Sequence, residues 1–199
     1  MTFGFTGRSG TGFRLAQEGP GKVPPAPAVP PKALVAFFSF GGSTARLARL
    51  LAEKFPADLG EIVPAVPYPE EEGRLSELAR DEGREGKLPE LAEPSPDPSG
   101  YGAVLVGSPV WWFGLAGPVR TWLSKHDFTG KAVRLFVTHG GGGPAGCQAD
   151  LVRLARRAEV ARDVLAVRGD GSGGLDGLDL ARALGWLRDV RYPGMGDVG

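Results

Sequence analysis

The sequence predicts a three-layer α/β sandwich, in which helices cover both faces of a parallel β-sheet. Apolar runs typical of buried strands recur along the chain, and amphipathic helical segments follow them after short connections. This alternation indicates parallel strands, because each right-handed crossover returns the chain to the same end of the sheet. The length of 199 residues favours one domain, or one domain with a tail.

The individual elements follow from hydrophobic periodicity. Continuous apolar runs are typical of strands that are covered on both faces, and leucines at helical spacing indicate amphipathic helices. The predicted strands are residues 33–38, 59–63, 103–106, 132–137 and 163–167. Three predicted helices cover residues 44–55, 148–158 and 178–190. An acidic, solvated helix is predicted within residues 70–93, with Leu75 and Leu78 inward. Another helix is predicted after Gly117, with Val119, Trp122 and Leu123 inward.

The first 32 residues differ in composition from the rest of the chain. Gly and Pro are frequent there, and residues 23–31 are mostly proline and alanine. Pro-rich sequence favours an extended, solvated chain over a packed one. We therefore expect a flexible leader over residues 1–32, a folded domain over residues 33–192 and a flexible tail over residues 193–199.

Composition excludes several classes of protein. The 23 basic side chains balance the 23 acidic ones, whereas nucleic-acid binders usually carry a basic excess. The single cysteine, Cys147, excludes a disulfide framework and a cysteine-based zinc site. No apolar run approaches the roughly 18 residues that a membrane-spanning helix needs, and the leader lacks the layout of a signal peptide. The sequence thus predicts a cytoplasmic protein that binds neither nucleic acid nor membrane.

The segment after the first predicted strand is the first candidate binding loop, because ligands of such sheets bind at the carboxyl ends of the strands. This loop 1 (residues 39–44) contains Ser39, Gly41, Gly42, Ser43 and Thr44. Its glycines allow a tight turn, and its hydroxyls and backbone N–H groups converge at a helix N-terminus. The pattern predicts an anion cradle without the lysine of a P-loop. An ordinary turn with Ser43 or Thr44 as helix N-cap is the alternative.

Loop 2 (residues 109–113) follows the third predicted strand and contains Pro109, Val110, Trp111, Trp112 and Phe113. Neighbouring side chains of an extended segment alternate sides, so the three aromatic rings cannot all enter the core. At least one ring is expected to face the crevice and stack on a flat ligand. The alternative is that these rings close the core or a dimer interface.

Loop 3 (residues 138–143) follows the fourth predicted strand. It contains Thr138 and His139 and then the glycine run Gly140, Gly141, Gly142 and Gly143. A glycine run leaves backbone N–H and C=O groups uncovered, so a flat heterocycle with polar edges fits against it. A mobile linker is the alternative. Together the three loops predict a site for a planar, phosphorylated ligand.

The sequence from about residue 33 to residue 190 resembles the flavodoxin-like proteins. The resemblance rests on residues 38–44, 67–69, 101–112, 128–131 and 136–141. It implies a five-stranded parallel sheet in the order 2-1-3-4-5 that binds FMN non-covalently. It implies phosphate contacts from Ser39, Gly41, Gly42, Ser43 and Thr44, flavin-ring contacts from Pro109, Val110, Trp111, Trp112 and Phe113, and contacts to the ring's polar edge from Thr138, His139, Gly140, Gly141 and Gly142.

Loop 1 departs from the family pattern, which usually reads Ser-x-Thr-Gly-Asn-Thr. Gly41 stands in the place of the Thr, and Ser43 stands in the place of the Asn. Each lost hydrogen bond lowers phosphate affinity by about 1 kcal/mol. We expect weakened FMN binding, because the backbone donors of the loop are retained.

The resemblance leaves three functions open. The first is an FMN-dependent NAD(P)H reductase of quinones or similar acceptors, and the second is an FMN electron carrier that docks on a redox protein. The third is a flavodoxin-like binding module that has lost FMN. Dedicated carriers tend to be strongly acidic, so the neutral charge favours the reductase. Trp111 or Trp112 is the expected ring platform, His139 either bonds the pyrimidine edge or faces solvent, and a homodimer is a further expectation.

Two other enzyme and signalling classes fail on particular residues. The sequence His139-Gly140-Gly141-Gly142 matches an esterase oxyanion loop, but no Gly-x-Ser-x-Gly segment supplies the nucleophile. A phospho-acceptor receiver domain needs acidic residues after the first strand and an Asp after the third, where this chain has Ser39 and Trp111. No catalytic acid–base pair and no metal ligands are predicted.

Overall fold

The structure is a computed structural model that describes residues 33–176, 180–188 and 190. The predicted leader over residues 1–32 and the predicted tail over residues 193–199 lie outside these residues, as do parts of the last predicted helix. The strands are β1 (Ala33–Phe37), β2 (Ala57–Glu61), β3 (Ala103–Trp111), β4 (Gly114–Leu115), β5 (Ala132–His139), β6 (Glu159–Gly169) and β7 (Leu175–Asp176). The helices are α1 (Ser43–Lys54), α2 (Glu72–Glu85), α3 (Gly117–Lys125), α4 (Cys147–Leu154) and α5 (Leu180–Arg188).

Five parallel strands form the centre of the sheet in the order β2-β1-β3-β5-β6. Counted along the chain, these five strands follow the predicted order 2-1-3-4-5, so the fold prediction is confirmed. Two short strands that the sequence analysis did not predict are antiparallel to their neighbours. Strand β4 pairs with the end of β3, and β7 pairs with the end of β6.

Apolar side chains cover both faces of the sheet, which explains the continuous apolar run in β1. Successive residues of a strand point to opposite faces, and in β1 both faces are buried. Leu34 belongs to the cluster that contains Trp122 of α3, whereas Val35 belongs to the cluster that contains Leu47 of α1. The three-layer arrangement follows directly from this double burial. None of the helices in the described ranges is both long and apolar enough to cross a lipid bilayer.

Helix α3 agrees with its sequence prediction in detail. Pro118 lies in its first turn, and Val119, Trp122 and Leu123 are fully buried. The indole N–H of Trp122 donates a hydrogen bond to the carbonyl of Pro96 at 2.7 Å. This bond satisfies the one polar group of the ring, which allows the whole side chain to enter the core.

The edge strand and the acidic helix differ from their predictions. Strand β2 covers Ala57–Glu61 and not residues 59–63, because its register is fixed by pairing with β1 from Ala33↔Ala57 to Phe37↔Glu61. In α2 the predicted inward residue Leu78 is 43% exposed, while Ala79 and Glu82 are buried. Leu75 packs against the core as predicted, but Leu78 does not, because the buried face of this helix runs through Leu75, Ala79 and Glu82.

The fourth predicted helix is shorter and the fifth predicted strand is longer than expected. Helix α4 ends at Leu154, and Arg157 has a left-handed φ of 61° that turns the chain toward β6. Strand β6 then covers Glu159–Gly169 and not residues 163–167, because it pairs with β5 along most of its length. Helix α5 is described over Leu180–Arg188, within the predicted range of residues 178–190.

Candidate functional site

The three candidate loops lie next to one another at the carboxyl edge of the parallel strands. Loop 1 contacts loop 3 through Thr44 and Thr138, whose hydroxyl oxygens are 2.7 Å apart. Loop 1 contacts loop 2 through the rings of Phe40 and Trp111, whose centroids are 6.0 Å apart. Loop 2 reaches the segment after the glycine run, where the backbone N–H of Gly146 donates to the carbonyl of Phe113 at 2.8 Å. The loops therefore form one continuous rim.

The backbone of loop 1 has the shape of an anion-binding turn. Gly41 and Gly42 have φ values of 73° and 93°, in the left-handed region that glycine adopts without a steric cost. Helix α1 begins at Ser43, and Gly42 is its N-cap residue, so neither Ser43 nor Thr44 caps the helix. The hydroxyl of Ser39 accepts the N–H of Ala45 at 3.1 Å. The remaining N–H groups of the first turn have no partner within the helix and give its N-terminus a partial positive charge.

Both hydroxyl side chains at the start of α1 are buried. Thr44 is 1% exposed and is bonded to Thr138, whereas the hydroxyl of Ser43 has no hydrogen-bond partner within the described residues. A buried hydroxyl without a partner costs about 1–3 kcal/mol. Loop 1 thus fits an oxygen-rich anion through its glycine backbone and the helix terminus, and it contains one hydroxyl that lacks a partner.

A fourth segment, which the sequence analysis did not assign to the site, packs against loop 1. This β6–β7 turn (residues 170–174) comes so close that a Cβ built on Gly41 would overlap the carbonyl oxygen of Gly171. The guanidinium of Arg46 donates to the carbonyl of Gly173 at 3.2 Å and brings a cation to the start of α1. The run of Asp170 and glycines is a turn signal, but the sequence did not indicate what the turn contacts.

The carboxylate of Asp170 closes the β6–β7 turn. It accepts the backbone N–H groups of Ser172 and Gly174 at 2.8 and 2.7 Å. These hydrogen bonds favour the ionised form, so the pKa of Asp170 lies below the usual value of an aspartate. The turn therefore has its own internal hydrogen bonds beside loop 1.

The two tryptophans of loop 2 point to different surroundings, as alternation predicts. Trp111 is half-buried in an aromatic cluster, with centroid distances of 5.4 Å to Phe38, 6.0 Å to Phe40 and 4.9 Å to Tyr68. Trp112 is turned toward α2, where its indole N–H donates to the carbonyl of Ser76 at 2.7 Å. Trp111 is therefore the tryptophan next to loop 1.

A buried polar cluster lies behind Trp111. The hydroxyl of Tyr68 donates to the carboxylate of Glu82, with distances of 2.9 and 2.8 Å to its two oxygens. Glu82 is 5% exposed and Arg120 is 8% exposed. Burial raises the pKa of Glu82, while the bond from Tyr68 and the charge of Arg120 oppose this rise. The sequence analysis treated the acidic residues of this helix as solvated and missed Glu82, which lies three residues after the buried Ala79 on the same helix face.

Loop 3 presents bare backbone and one neutral imidazole. The backbone N–H of Gly141 donates to Nδ1 of His139 at 3.1 Å, which places the imidazole proton on Nε2. Partial burial and the charge of Arg168 lower the pKa of His139. A Cβ built on any of the four glycines of residues 140–143 would meet no atom within 4 Å. The loop therefore offers backbone groups and the Nε2–H group along an open surface.

Three further features were considered as possible sites: the cysteine, a cavity and a metal-binding group. Cys147 is fully buried, and burial raises the pKa of its thiol to about 12, so it is not a nucleophile at neutral pH. A cavity of about 540 Å³ lies beside the ends of α3 and α4, where Leu123 and Arg157 are among its lining residues. Within residues 33–176, 180–188 and 190, no three His, Cys, Asp or Glu side chains are grouped to hold a metal ion.

The fold and these loops define an open α/β protein whose candidate site lies at the point where the strand order reverses, between β1 and β3. The flavodoxin family model matches residues 32–163. The chain therefore belongs to the flavodoxin family. No functionally curated protein matches the sequence.

Solved structures of bacterial proteins share this fold. A candidate flavoprotein from Bacteroides uniformis ATCC 8492 is 24% identical, with a TM-score of 0.67 over 80% of this chain and 99% of that chain. A candidate flavoprotein from Bacteroides eggerthii DSM 20697 is 25% identical, with a TM-score of 0.65 over 79% and 96% of the two chains. A flavoprotein from Lactobacillus acidophilus NCFM in complex with FMN is 24% identical, with a TM-score of 0.58 over 70% and 94%.

Proposed function

We propose that this protein binds FMN along the rim formed by loops 1, 2 and 3 and uses it as an NAD(P)H-dependent reductase of quinones or similar acceptors. FMN is the cofactor that the family match and the FMN complex of the Lactobacillus acidophilus flavoprotein support. The single observation that carries the site is the contact of loop 1 with both other loops, through Thr44–Thr138 and Phe40–Trp111. It brings an anion-binding backbone next to an aromatic ring.

In this proposal loop 1 binds the phosphate. The left-handed turn at Gly41 and Gly42 and the N-terminus of α1 direct backbone N–H groups and a partial positive charge toward an anion. The proposed contact residues are Ser39, Gly41, Gly42, Ser43 and Thr44. Arg46 adds a full positive charge beside this turn. This charge supports phosphate binding although the loop lacks the Thr and Asn side chains of the family pattern.

Loops 2 and 3 contact the flavin ring in this proposal. Trp111 is the ring platform, because Trp112 is held by α2. The proposed further contacts are Pro109, Val110, Trp112 and Phe113 along the ring, and Thr138, His139, Gly140, Gly141 and Gly142 along its polar edge. The Nε2–H group of His139 donates to the pyrimidine edge. When bound, FMN supplies the redox chemistry, and the protein holds it in place and sets its electrostatic surroundings.

The balance of charges favours the reductase over the carrier. Equal numbers of acidic and basic side chains, 23 each, leave no strong net charge for docking on a redox protein. The carrier remains the second candidate function, and a redox protein would then replace the small-molecule acceptor. A cytoplasmic location and a homodimer are part of the proposal. The exposed rings of Trp112 and Phe113 support self-association, which sedimentation at two concentrations tests.

The visible spectrum of the purified protein tests FMN binding. Flavin absorption bands, either as purified or after addition of FMN, are the expected result. A protein that stays colourless in the presence of FMN would contradict the proposal and favour a binding module without cofactor. Adding NADPH and then a quinone to the yellow protein separates the two redox functions, because in a reductase NADPH bleaches the flavin and the quinone restores its colour, whereas the flavin of a carrier without NAD(P)H turnover is not bleached.

The combined substitution Ser43→Ala and Thr44→Val tests the phosphate contacts. Each lost hydrogen bond is worth about 1 kcal/mol, so the variant is expected to bind FMN roughly fivefold more weakly per contact. Riboflavin has the same ring without the phosphate, so its affinity is expected to change less. Thr129→Val removes an exposed hydroxyl far from the rim and serves as the control. Equal losses for FMN and riboflavin would show that loop 1 does not bind the phosphate.

A further inference from the structure

The cavity of about 540 Å³ lies at the amino edge of the sheet, at the opposite end from the rim. Its lining residues come from the ends of α3 and α4 and from the turns that lead into β5 and β6. Strand β5 runs from Ala132 at this edge to His139 in loop 3, which separates the two edges by about 23 Å at roughly 3.3 Å per residue. The volume lies within the range of roughly 300–1,000 Å³ that is typical of sites for small molecules.

Three arginines line this cavity: Arg153, Arg156 and Arg157. Arg153 forms an ion pair with Asp150 at 2.8 Å, so its charge is partly compensated. Among the described residues, no hydrogen bond or ion pair holds the guanidinium groups of Arg156 and Arg157. Neighbouring cations repel one another, and an anion bound between them would remove this repulsion.

The backbone at Arg157 favours glycine. Its φ is 61°, and a residue with a Cβ adopts this left-handed conformation only at a steric cost. Its carbonyl accepts the N–H of Gly130 at 3.1 Å, which joins the turn after α4 to the turn after α3. An arginine at a strained position beside a cavity indicates a role for its side chain.

The wall contributed by α3 is apolar and uncharged. Leu123 is fully buried, and the ring of His126 lies 5.2 Å from the ring of the buried Trp122. Burial lowers the pKa of His126, so its imidazole is uncharged at neutral pH. With Leu154 of α4, these side chains form a surface against which a planar group can pack.

Asp127 is the one acidic residue among the described residues that line the cavity. Its Oδ1 accepts a backbone N–H at 2.9 Å and a hydroxyl at 2.6 Å, both from its own turn. Its Oδ2 is left to accept a hydroxyl group of a ligand. Because three arginines face this one carboxylate, the lining as a whole favours an anion that also carries hydroxyl groups.

We propose that this cavity is a second binding site, and that its ligand is a nucleoside diphosphate such as ADP. Arg156 and Arg157 bind the phosphate groups, because the guanidinium fork matches the spacing of phosphate oxygens. The base packs against Leu123 and the ring of His126, and the ribose hydroxyls donate to Asp127. A ligand about 23 Å from the rim does not transfer hydride to a flavin bound there, so this site is separate from the proposed redox chemistry.

The substitutions Arg157→Gly and Arg156→Gln test the two unpaired arginines. Arg157→Gly removes the guanidinium and also relieves the positive φ, so this variant is expected to unfold at a temperature at least as high as that of the unaltered protein. Arg156→Gln removes the neighbouring charge and keeps a polar side chain. Arg49→Gln is the control, because it removes an exposed arginine of α1, which covers the other face of the sheet.

The measurement is calorimetric titration of the full chain with ADP, inorganic pyrophosphate and adenosine at about 0.15 M salt, where attraction to scattered surface charges is largely screened. ADP is expected to bind more tightly than either of its parts. A hydrogen bond between two charged groups is strong enough that each arginine variant is expected to bind ADP about ten- to hundredfold more weakly. The Arg49→Gln control is expected to bind ADP with unchanged affinity.

Four results would overturn the inference. The first is no binding of ADP, or unchanged ADP affinity in both arginine variants. The second is pyrophosphate binding as tightly as ADP, which would leave no contact to a nucleoside. The third is an equal loss with Arg49→Gln, which would indicate unspecific attraction to positive charge. The fourth is loss of ADP binding with the combined substitution Ser43→Ala and Thr44→Val, which would place ADP in loop 1. FMN binding is measured separately in the visible spectrum, so none of these results decides the proposed function.

Discussion

Replacing Gly41 by alanine tests how the β6–β7 turn holds loop 1 in shape. Gly41 has a φ of 73°, and a Cβ at this position would overlap the carbonyl oxygen of Gly171. The substitution therefore has two separate costs. One is the left-handed backbone of a residue with a side chain, and the other is the displacement of the neighbouring turn. Gly86→Ala isolates the first cost, because Gly86 has a φ of 67° and open space around it.

The expected change in the free energy of unfolding follows from these two costs. A left-handed alanine costs about 1–2 kcal/mol relative to glycine, and the loss of unfolded-state freedom opposes this by about 0.4–1 kcal/mol in both variants. Overpacking against a well-packed neighbour adds roughly 1–3 kcal/mol. We therefore expect Gly41→Ala to lower the free energy of unfolding by about 1–3 kcal/mol more than Gly86→Ala does.

Urea unfolding followed by tryptophan fluorescence measures this difference, and titration with FMN measures its consequence for binding. Gly41→Ala is expected to weaken FMN binding because it displaces the phosphate-binding backbone, whereas Gly86, at the end of α2, leaves that backbone in place. Equal free energies of unfolding for the two variants would refute the packing of the β6–β7 turn against Gly41. A less stable Gly41→Ala variant with unchanged FMN affinity would refute the assignment of loop 1 to the phosphate.

Two further predictions follow from buried ionisable groups. Cys147 is fully buried with its pKa raised to about 12, so we expect its thiol to react with a disulfide reagent at pH 8 only after unfolding; rapid labelling of the folded protein would contradict the burial. Burial raises the pKa of Glu82, so the folded state retains the proton to higher pH than the unfolded state does. Stability from this group is highest below the unfolded pKa and falls as the pH rises through the folded pKa. Glu82→Gln is expected to remove that decline, seen in urea unfolding across pH 4 to 8, and an unchanged pH profile would show that Glu82 does not titrate in this range.

The strands and the apolar faces of the helices were predictable because they depend on local periodicity, whereas the strand order was implied by the resemblance to the flavodoxin-like proteins. The apolar run in β1 predicted double burial, and Val35 and Leu34 indeed enter different clusters. The spacing of Val119 and Trp122 similarly predicted the buried face of α3. Where polar residues dominate, as in α2, the same method placed Leu78 on the wrong side.

The partners within the candidate site were not predictable, because they are far apart in the chain. Thr44 and Thr138 are separated by 94 positions, and Arg46 and Gly173 by 127. No local pattern distinguishes Glu82 from the solvated acidic residues around it, since its burial depends on Tyr68 and Arg120 in other segments. The β6–β7 turn is likewise recognisable as a turn from its own residues, but its contact with loop 1 joins segments that are far apart in the chain.

The sequence by itself determined which segments follow which strands, and therefore which loops lie at the carboxyl edge of the sheet. Hydrophobic periodicity reveals this order of strands and loops, because every position that faces the core must have an apolar side chain. Only the tertiary structure decided that Trp111 faces loop 1, that Trp112 is held by α2, and that Phe113 stays exposed. These orientations depend on how distant elements pack around the rim. A pattern of residue types along the chain does not indicate which distant elements meet.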